Sequence, residues 1–456
     1  MALVYGRRVG KTYLLNRVWP ADRVFYFTAA ETTERQNRTA LLEELGRFRK
    51  EPVAEADYPT WRTVFRLLLE TNTPDPLVIV LDEFQNLGDT LADVRRVASE
   101  LNAVWEQKRS ARPVVVVISG SHIKTMEALR DGGALFGRFH YTARILPFTY
   151  WDAAQMTPYP DLRDRVRSYA AYGGTPRYLA AVRTETSLDQ CIPSQLLHPQ
   201  GEVRALIETA LSQERGLYDV AKYQAILRAI GMGSTQFSIL KAKAGMQDLA
   251  DNGVRQMLRN LQDLGYVRAE RNVGAKNTAP FWYRIDDAAF AFYYAFTARY
   301  EAALARHNPQ TVWTEHISAE FNAYIGRTFE RVAEQAYTRL TEPLGLPLTK
   351  EWGRWEGHDR AKKSHEMDIV APLIDGRVLT GGVKWNAAPL GAEWHYHHMA
   401  MIERLRDSGV TWAHAAAKSD APLLWVAAGG FTPAFEAAVR GERKEVYLWT
   451  LKDLYR

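Results

Sequence analysis

The 456-residue sequence has a single cysteine, Cys191. No disulfide can therefore form within the chain, and a reducing cytoplasm is the expected compartment. No apolar run approaches the ~18–20 residues that cross a bilayer, and no secretory pattern precedes the first motif. We therefore expect no membrane partner. The sequence also lacks an evident internal repeat or low-complexity tract.

The composition is that of an ordinary globular protein, with 46% hydrophobic and 24% charged residues. At about 150 residues per domain, the length predicts two to four domains. The net charge of +5 and the isoelectric point near 9.0 mildly favour an acidic partner such as nucleic acid.

A glycine-containing segment lies between the first apolar run and an amphipathic helix. It consists of Tyr5, Gly6, Arg7, Arg8, Val9, Gly10, Lys11, Thr12 and Tyr13. A strand, a turn ending in Gly-Lys-Thr and a helix are typical of a loop that surrounds a phosphate with backbone N–H groups. We expect Lys11 to reach the outer phosphates and Thr12 to hold Mg²⁺. Three residues separate Gly6 from Gly10, one fewer than usual, and the alternative is a solvated basic turn.

A second segment, from Pro76 to Leu81, is apolar throughout and ends in Asp82 and Glu83. The pattern predicts a buried parallel strand. Asp82 is then expected to hold Mg²⁺ through water, and Glu83 to polarise an attacking water. The alternative is a core strand followed by a solvated acidic turn. The Gly-Lys-Thr motif upstream favours nucleotide binding, because paired motifs in matching contexts are less accidental than single ones.

Residues 1–185 alternate apolar runs with helical patterns, which predicts a parallel sheet with helices on both faces. The expected strands cover residues 24–27, 77–81, 114–119 and 143–146, and the expected helices cover 39–49, 61–70 and 90–107. Ser121 follows the third of these strands and is a candidate γ-phosphate sensor, or simply part of a turn. Arg138 and Arg177 each follow a flexible glycine-containing segment, so each could reach a phosphate or form a surface ion pair.

Residues 186–300 predict three helices and a β-hairpin, the pattern of a winged helix. Arg255 and Arg259 would face outward from the recognition helix, and Arg268, Arg271 and Lys276 would lie on the wing. Double-stranded DNA is one expected partner of this surface. The alternative is a protein spacer with a solvated basic face.

Residues 301–456 again predict an α/β region, with the layout of nucleases of the restriction-endonuclease fold. Glu330 on a helix, Asp368 on a strand and Lys384 on the next strand are candidates for a Mg²⁺ site. Gly382 stands where a further metal-binding glutamate is expected, and Glu366 is the candidate substitute. We therefore predict a nuclease-like remnant that cuts DNA poorly or not at all.

Together these motifs resemble the archaeal-type ATPase family, AAA-like P-loop ATPases with a winged helix and a C-terminal nuclease-like domain. The resemblance is carried by Tyr5–Thr12, Leu81–Gln85, Ser119–Ser121, Gly137–Arg138, Gly173–Leu179, Glu366–Ala371 and Gly381–Trp385. It implies ATP and Mg²⁺ as cofactors and Ser121 and Arg177 as sensors. It also makes Arg138 a candidate finger, which a neighbouring subunit could supply if the chain forms a homo-oligomer. The chain departs from the family in its shortened loop. It also departs at residues 381–385, which read Gly-Gly-Val-Lys-Trp where the family commonly has Gly-Glu-Cys-Lys-Trp, so that Gly382 and Val383 replace Glu and Cys.

The predicted fold class is therefore α/β: an AAA-like P-loop NTPase sheet, a winged helix and a restriction-endonuclease-like domain. The first functional hypothesis is a Mg²⁺-dependent ATPase that couples nucleotide state to a winged-helix module binding DNA or a partner protein. One alternative is a nucleotide-gated DNA-binding or scaffold protein without turnover. A further alternative is an ATP-regulated nuclease.

Overall fold

The computed structural model describes residues 1–71, 77–107, 113–183, 186–214, 217–275, 279 and 281–456. The chain divides into two compact units, residues 1–147 with 175–177, and residues 148–174 with 178–456. Pro76 and Lys276, expected on a strand and on the wing, lie outside the described residues.

The first unit is built on a five-stranded sheet in the order β2-β3-β4-β1-β5, in which every neighbouring pair is parallel. Its strands are β1 (Ala2–Tyr5), β2 (Val24–Thr28), β3 (Leu77–Asp82), β4 (Val114–Gly120) and β5 (Tyr141–Arg144), and its helices are α1 (Lys11–Val18), α2 (Glu34–Arg49), α3 (Trp61–Glu70), α4 (Leu91–Gln107) and α5 (Ile123–Arg130). This arrangement confirms the predicted P-loop-like sheet. The last strand begins and ends two residues earlier than the expected range of 143–146.

Strand β3 is buried at every position because apolar side chains cover both faces of the sheet. Ile79 and Leu81 belong to the core that α2, α3, α4 and α5 share with one face. Val78 and Val80 pack with Leu15 of α1 on the other face. The carboxyl end of β3, where Asp82 lies, is thereby fixed within the sheet.

The second unit contains a mixed sheet and most of the helices. The remaining helices of the chain are α6 (Tyr150–Met156), α7 (Leu162–Tyr172), α8 (Pro176–Leu179), α9 (Leu188–Ile192), α10 (Glu202–Ala210), α11 (Val220–Gly231), α12 (Phe237–Lys243), α13 (Asp251–Asp263), α14 (Ala288–Phe292), α15 (Glu301–Leu304), α16 (Pro309–Val312), α17 (Ser318–Leu344), α18 (Ala392–Asp407), α19 (Thr411–Ala416), α20 (Pro433–Glu442) and α21 (Leu451–Leu454). The remaining strands are β6 (Val267–Glu270), β7 (Trp282–Ile285), β8 (Gly353–His358), β9 (Ser364–Pro372), β10 (Val378–Lys384), β11 (Leu423–Ala427) and β12 (Val446–Trp449).

Helices α11, α12 and α13 and the antiparallel hairpin β6–β7 form the expected winged-helix arrangement. Ile226, Leu240 and Leu258, one from each helix, are fully buried in a shared core. Helix α13 buries Val254, Leu258 and Leu261, a spacing that leaves its opposite face in solvent.

The C-terminal sheet has the order β12-β11-β10-β9-β8. Strand β10 is antiparallel to β9 and parallel to β11. Helix α17 packs on one face of this sheet, and α18, α19 and α20 contribute to the cores on the other face. This is the α/β layout expected for the third region. Across the described ranges, no helix has both the length and the apolar character needed to cross a bilayer.

Candidate functional site

The predicted nucleotide-binding residues converge because parallel strands end at the same edge of a sheet. The glycine-containing loop follows β1, Asp82 and Glu83 lie at the end of β3, and Ser121 follows β4. Strand β4 lies between β1 and β3, so three adjacent carboxyl ends supply the site.

The shortened loop turns sharply between β1 and α1. Gly6 and Arg8 have φ angles of 151° and 55°. A Cβ at Gly6 would lie 2.3 Å from the carbonyl oxygen of Ile145, so only glycine fits this position. Gly10 is the N-cap residue of α1 and has no side chain with which to cap the first amides of that helix. Those amides and the positive end of the helix dipole favour an anion.

Lys11 is 5% exposed and turns back into the loop. Its Nζ donates to the carbonyl oxygen of Gly6 at 2.7 Å and lies 3.7 Å from Oε1 of Glu83. An ammonium group has three donor hydrogens. The lysine therefore keeps donor capacity for a phosphate at the mouth of the loop.

Asp82 is 1% exposed and joins the loop to the acidic pair. Its Oδ2 accepts hydrogen bonds from Thr12 Oγ1 at 2.8 Å and from the Tyr26 hydroxyl at 2.7 Å. Sequence analysis did not identify Tyr26, which lies on the neighbouring strand β2. Burial and the hydrogen bond to Asp82 raise the pKa of Tyr26 well above its ordinary value, so the phenol remains a neutral donor.

Glu83 follows Asp82 in the left-handed region, with φ 52°. Its Oε2 accepts hydrogen bonds from the Oγ and backbone N–H of Ser121 at 2.6 and 3.2 Å, and from Gln85 Nε2. Ser121, predicted as a phosphate sensor, is thus placed against the carboxylate that is predicted to orient water.

The other predicted residues of the first unit differ in their surroundings. Arg138 pairs with Glu106 at 3.1 Å. Arg177 is exposed and follows Pro176, whose Cβ lies 3.9 Å from the Cβ position of Gly10. The segment that carries Arg177 therefore adjoins the loop.

The residues that flank the loop are divided between core and surface. Tyr5 and Val9 are buried, and the Tyr5 hydroxyl accepts a hydrogen bond from Arg130 at 2.8 Å. Tyr13 is 66% exposed under the guanidinium of Arg17. Arg7 and Arg8 are half-buried.

These groups fit a nucleotide and its Mg²⁺ ion. The buried ammonium of Lys11 and the uncapped start of α1 suit phosphate oxygens. The oxygen atoms of Thr12 and Asp82 suit a hard cation, which prefers oxygen ligands.

A second cluster lies in the C-terminal region. Carboxylate oxygens of Glu330, Glu366 and Asp368 all lie within 4.8 Å of one another. Lys384 Nζ donates to Oδ2 of Asp368 at 2.6 Å, and the N–H of Val383 donates to the same oxygen at 2.9 Å. Burial raises the pKa of Glu330 to about 7. The structure thus brings the four predicted remnant residues together.

Arg354, which sequence analysis missed, is the further member of this cluster. Its Nη2 contacts Glu366 and lies 2.6 Å from Oε1 of Glu356, and its Nη1 lies 4.0 Å from Oε2 of Glu330. The side chain is only 11% exposed. The carboxylates therefore already have cationic partners from the chain itself.

Gly382 is covered by the indole of Trp425, the residue opposite it on β11. A Cβ at Gly382 would lie 2.6 Å from Cζ3 of Trp425, a buried side chain at 2% exposure. The space that a glutamate would need is therefore filled. With that position closed and Asp368 paired to Lys384, the cluster does not fit the Mg²⁺ ion of a nuclease of this fold.

The predicted DNA-binding arginines fall into two groups. On α13, Arg255 and Arg259 are exposed. The guanidinium carbon of Arg255 lies 3.8 Å from the ring centre of Phe237. Arg259 Nη2 donates to Gln256 Oε1 at 2.8 Å. On the hairpin, Arg268 pairs with Glu270 at 2.6 Å, and Arg271 lies 3.7 Å over the ring of Phe281.

Comparison with known proteins finds relatives of undefined role. A family model, DUF234, described as archaeal and bacterial proteins of unknown function, matches residues 293–394. The chain is 24% identical over 390 residues to a Methanocaldococcus jannaschii protein named Uncharacterized protein MJECL04, covering 84% of this chain and 82% of that protein.

Two Aeropyrum pernix structures are also similar in part. One is the ORC2 protein in ADPNP-ADP complexes, with 15% identity, 67% of this chain and 88% of that chain covered, and a TM-score of 0.42. The other is the ORC1 protein in complex with DNA, with 16% identity, 66% and 88% coverage, and a TM-score of 0.35. These likenesses are too distant to assign a function to this chain.

Proposed function

We propose that this chain binds ATP with Mg²⁺ and hydrolyses it, and that the nucleotide state controls its winged-helix region. The hydrogen bond between Thr12 and Asp82, 2.8 Å long, carries the proposal. It joins two motifs about 70 residues apart in the sequence at the point where a phosphate-bound Mg²⁺ ion needs a hydroxyl and a carboxylate.

Lys11 is the proposed phosphate-binding cation. Its ammonium group donates a hydrogen bond of 2.7 Å to the carbonyl oxygen of Gly6. When ATP binds, phosphate oxygens would replace this carbonyl as the acceptors. A charged hydrogen bond in a buried site is stronger than one to a carbonyl, so a phosphate competes well with Gly6. Bound Mg²⁺ would neutralise charge on the phosphates, with Thr12 and Asp82 holding it.

Glu83 is the proposed water-orienting base. Its Oε2 accepts hydrogen bonds from Ser121 and Gln85, while Oε1 lies 3.7 Å from Lys11. Once the ammonium moves to a phosphate, Oε1 is free to accept a proton from water. Ser121 and Gln85 then keep the carboxylate in place, which lowers the entropic cost of the step.

The test is Mg²⁺-dependent ATP turnover and ATP binding by the full chain. We expect Lys11→Ala to weaken ATP binding by roughly 30-fold, the loss of about 2 kcal/mol from one charged hydrogen bond. Glu83→Gln should retain binding and lower kcat by about 10²-fold or more, because it removes a general base.

A matched control is Glu70→Gln, which makes the same change at the exposed end of α3 and should leave kcat unaltered. Equal turnover in the native chain, Lys11→Ala and Glu83→Gln would refute the proposal. If the native chain binds ATP but does not hydrolyse it, the alternative of a nucleotide-gated module without ATPase activity is supported instead.

Double-stranded DNA is the second candidate ligand, and the exposed face of α13 supports it. Arg255 and Arg259 lie in solvent there, whereas Arg268 is paired with Glu270 and Asp286. We therefore place the proposed contact with phosphates on the recognition helix, with a smaller contribution from the wing arginines.

Salt-dependent binding to a duplex tests this placement. The double variant Arg255→Ala/Arg259→Ala should reduce the salt slope by about two, about one for each lost phosphate contact. Arg404→Ala/Arg440→Ala removes the same charge from exposed positions on α18 and α20 and should leave the slope unchanged. Identical slopes for both double variants would reject DNA binding by α13.

A further inference from the structure

The wing of the winged helix is docked on an edge strand of the C-terminal sheet. Strand β8 is the last strand in that sheet. The Nδ2 group of Asn272 donates to the carbonyl oxygen of Glu356 at 2.6 Å, and its Oδ1 accepts from the N–H of Glu356 at 2.8 Å. One amide side chain thus satisfies both backbone groups of a single edge residue.

Neighbouring wing residues extend this contact. The N–H of Val273 donates to the carbonyl oxygen of Arg354 at 3.2 Å. Val273 is 4% exposed and shares a core with Met367 and Val370 of β9. The wing segment 272–273 therefore fixes the backbone of β8 at the two residues, Arg354 and Glu356, whose side chains enter the acidic cluster.

Regular alternation along β8 directs Arg354 into that cluster. Arg354 and Glu356 are two residues apart on β8 and therefore share a face of the strand. The register shifts at this point because two residues of β9, Asp368 and Ile369, lie opposite Arg354, so the bulge belongs to β9. The guanidinium of Arg354 contacts Glu356 and Glu366 and lies near Glu330.

We propose that Arg354 is the built-in counter-ion of the acidic cluster, held there by the docked wing, and that it excludes a divalent cation from Glu330, Glu366 and Asp368. A cation shared by these oxygens would have to displace a buried guanidinium from its carboxylates. Removing one member of such a partly buried network leaves uncompensated charge. A divalent ion can supply that charge when Arg354 is absent, because carboxylate oxygens are its preferred ligands.

The test is Mn²⁺ binding by the full chain without added nucleotide. The concentration of free Mn²⁺ is measured from its electron paramagnetic resonance spectrum. We expect Arg354→Met to bind one Mn²⁺ ion at least about tenfold more tightly than the native chain, as expected when a nearby unit charge is removed. Adding Asp368→Asn to Arg354→Met should abolish the gain. Mn²⁺ should also raise the unfolding temperature of Arg354→Met more than that of the native chain.

The wing is tested separately, with a variant that leaves every charge in place. Asn272→Ala should bind Mn²⁺ with an affinity between those of the native chain and Arg354→Met. Gln247→Ala, which removes an exposed side-chain amide elsewhere in the winged helix, should behave like the native chain. Asp368-dependent Mn²⁺ binding that is equally tight in the native chain would overturn the proposal. The proposal would also be overturned if Arg354→Met is folded and neither it nor Asn272→Ala binds Mn²⁺ more tightly than the native chain.

Discussion

The two sheets of this protein surround their aspartates in different ways. Asp82 accepts hydrogen bonds from two neutral hydroxyls, those of Thr12 and Tyr26, and the nearby ammonium of Lys11 is bonded to a backbone carbonyl. Asp368 is instead bonded directly to the ammonium of Lys384 at 2.6 Å. Each site contains an aspartate and a lysine, yet only in the second are the two paired with each other.

The two aspartates therefore differ in how readily they can exchange partners. A hydrogen bond from a neutral hydroxyl to a carboxylate is worth about 1.5–3 kcal/mol, and a cation that takes its place supplies the opposite charge. Removing one partner of a buried ion pair costs about 3–5 kcal/mol, because a charge is left without a counter-ion. We therefore expect Asp82 to accept a new cation more readily than Asp368.

The largest effect is expected when a carboxylate is forced into the closed cluster. Gly382→Glu should destabilise the protein by about 3 kcal/mol, since it overpacks Trp425 and buries a charge. Unfolding by urea measures this loss, and Gly441→Glu is the control because open space surrounds that glycine. We expect no plasmid nicking by Gly382→Glu with Mg²⁺ or Mn²⁺. Efficient nicking would break the contrast between the two sites.

A smaller effect is expected from the protonation of Glu330. Burial raises its pKa from 4.5 to about 7, so the folded protein holds a proton that the unfolded chain releases between these values. Its contribution to stability therefore falls as the pH rises from about 4.5 to about 7. Glu330→Gln should equal the native chain near pH 4.5 and exceed it by on the order of 2 kcal/mol at pH 8. A stability difference that does not vary with pH would show that the pKa of Glu330 is the same in the folded and unfolded chain.

The smallest effect is expected at Tyr26. Tyr26→Phe removes one hydrogen bond from a neutral hydroxyl to Asp82 and should weaken ATP binding in the presence of Mg²⁺ by about tenfold, or about 1.5 kcal/mol. Binding of ATP without Mg²⁺ should not change. Tyr58→Phe, a half-buried tyrosine of the same unit, is the control. A loss much greater than this would mean that Tyr26 is as important to Asp82 as a charged partner is.

Local sequence patterns were sufficient to predict the framework of the first site. Gly10, Lys11 and Thr12 lie where the turn meets the helix of a strand–turn–helix segment, and Asp82 and Glu83 follow a fully apolar run. Each motif lies within a few residues of an element boundary, so its position follows from the element itself. Because the strands are parallel, their carboxyl ends then had to meet.

The missed residues depend on how distant strands align. Tyr26 reaches Asp82 because β2 pairs with β3 so that Thr28 is opposite Asp82. Trp425 covers Gly382 because these residues are direct partners on β10 and β11. Arg354 lies at a shift of register. Strand register between segments far apart in the sequence is set by packing and by bulges, which no local pattern reveals.

The amide of Asn272 also covers a part of the C-terminal sheet at which a second molecule could add a strand. An edge strand with unpaired N–H and C=O groups is a template for sheet extension by another chain. Asn272 occupies both backbone groups of Glu356, and Val273 occupies the carbonyl of Arg354. The wing thereby takes the place of a neighbouring strand along β8. When it is withdrawn, this edge becomes open to pairing with a second molecule, and self-association through the C-terminal sheet is the consequence we expect.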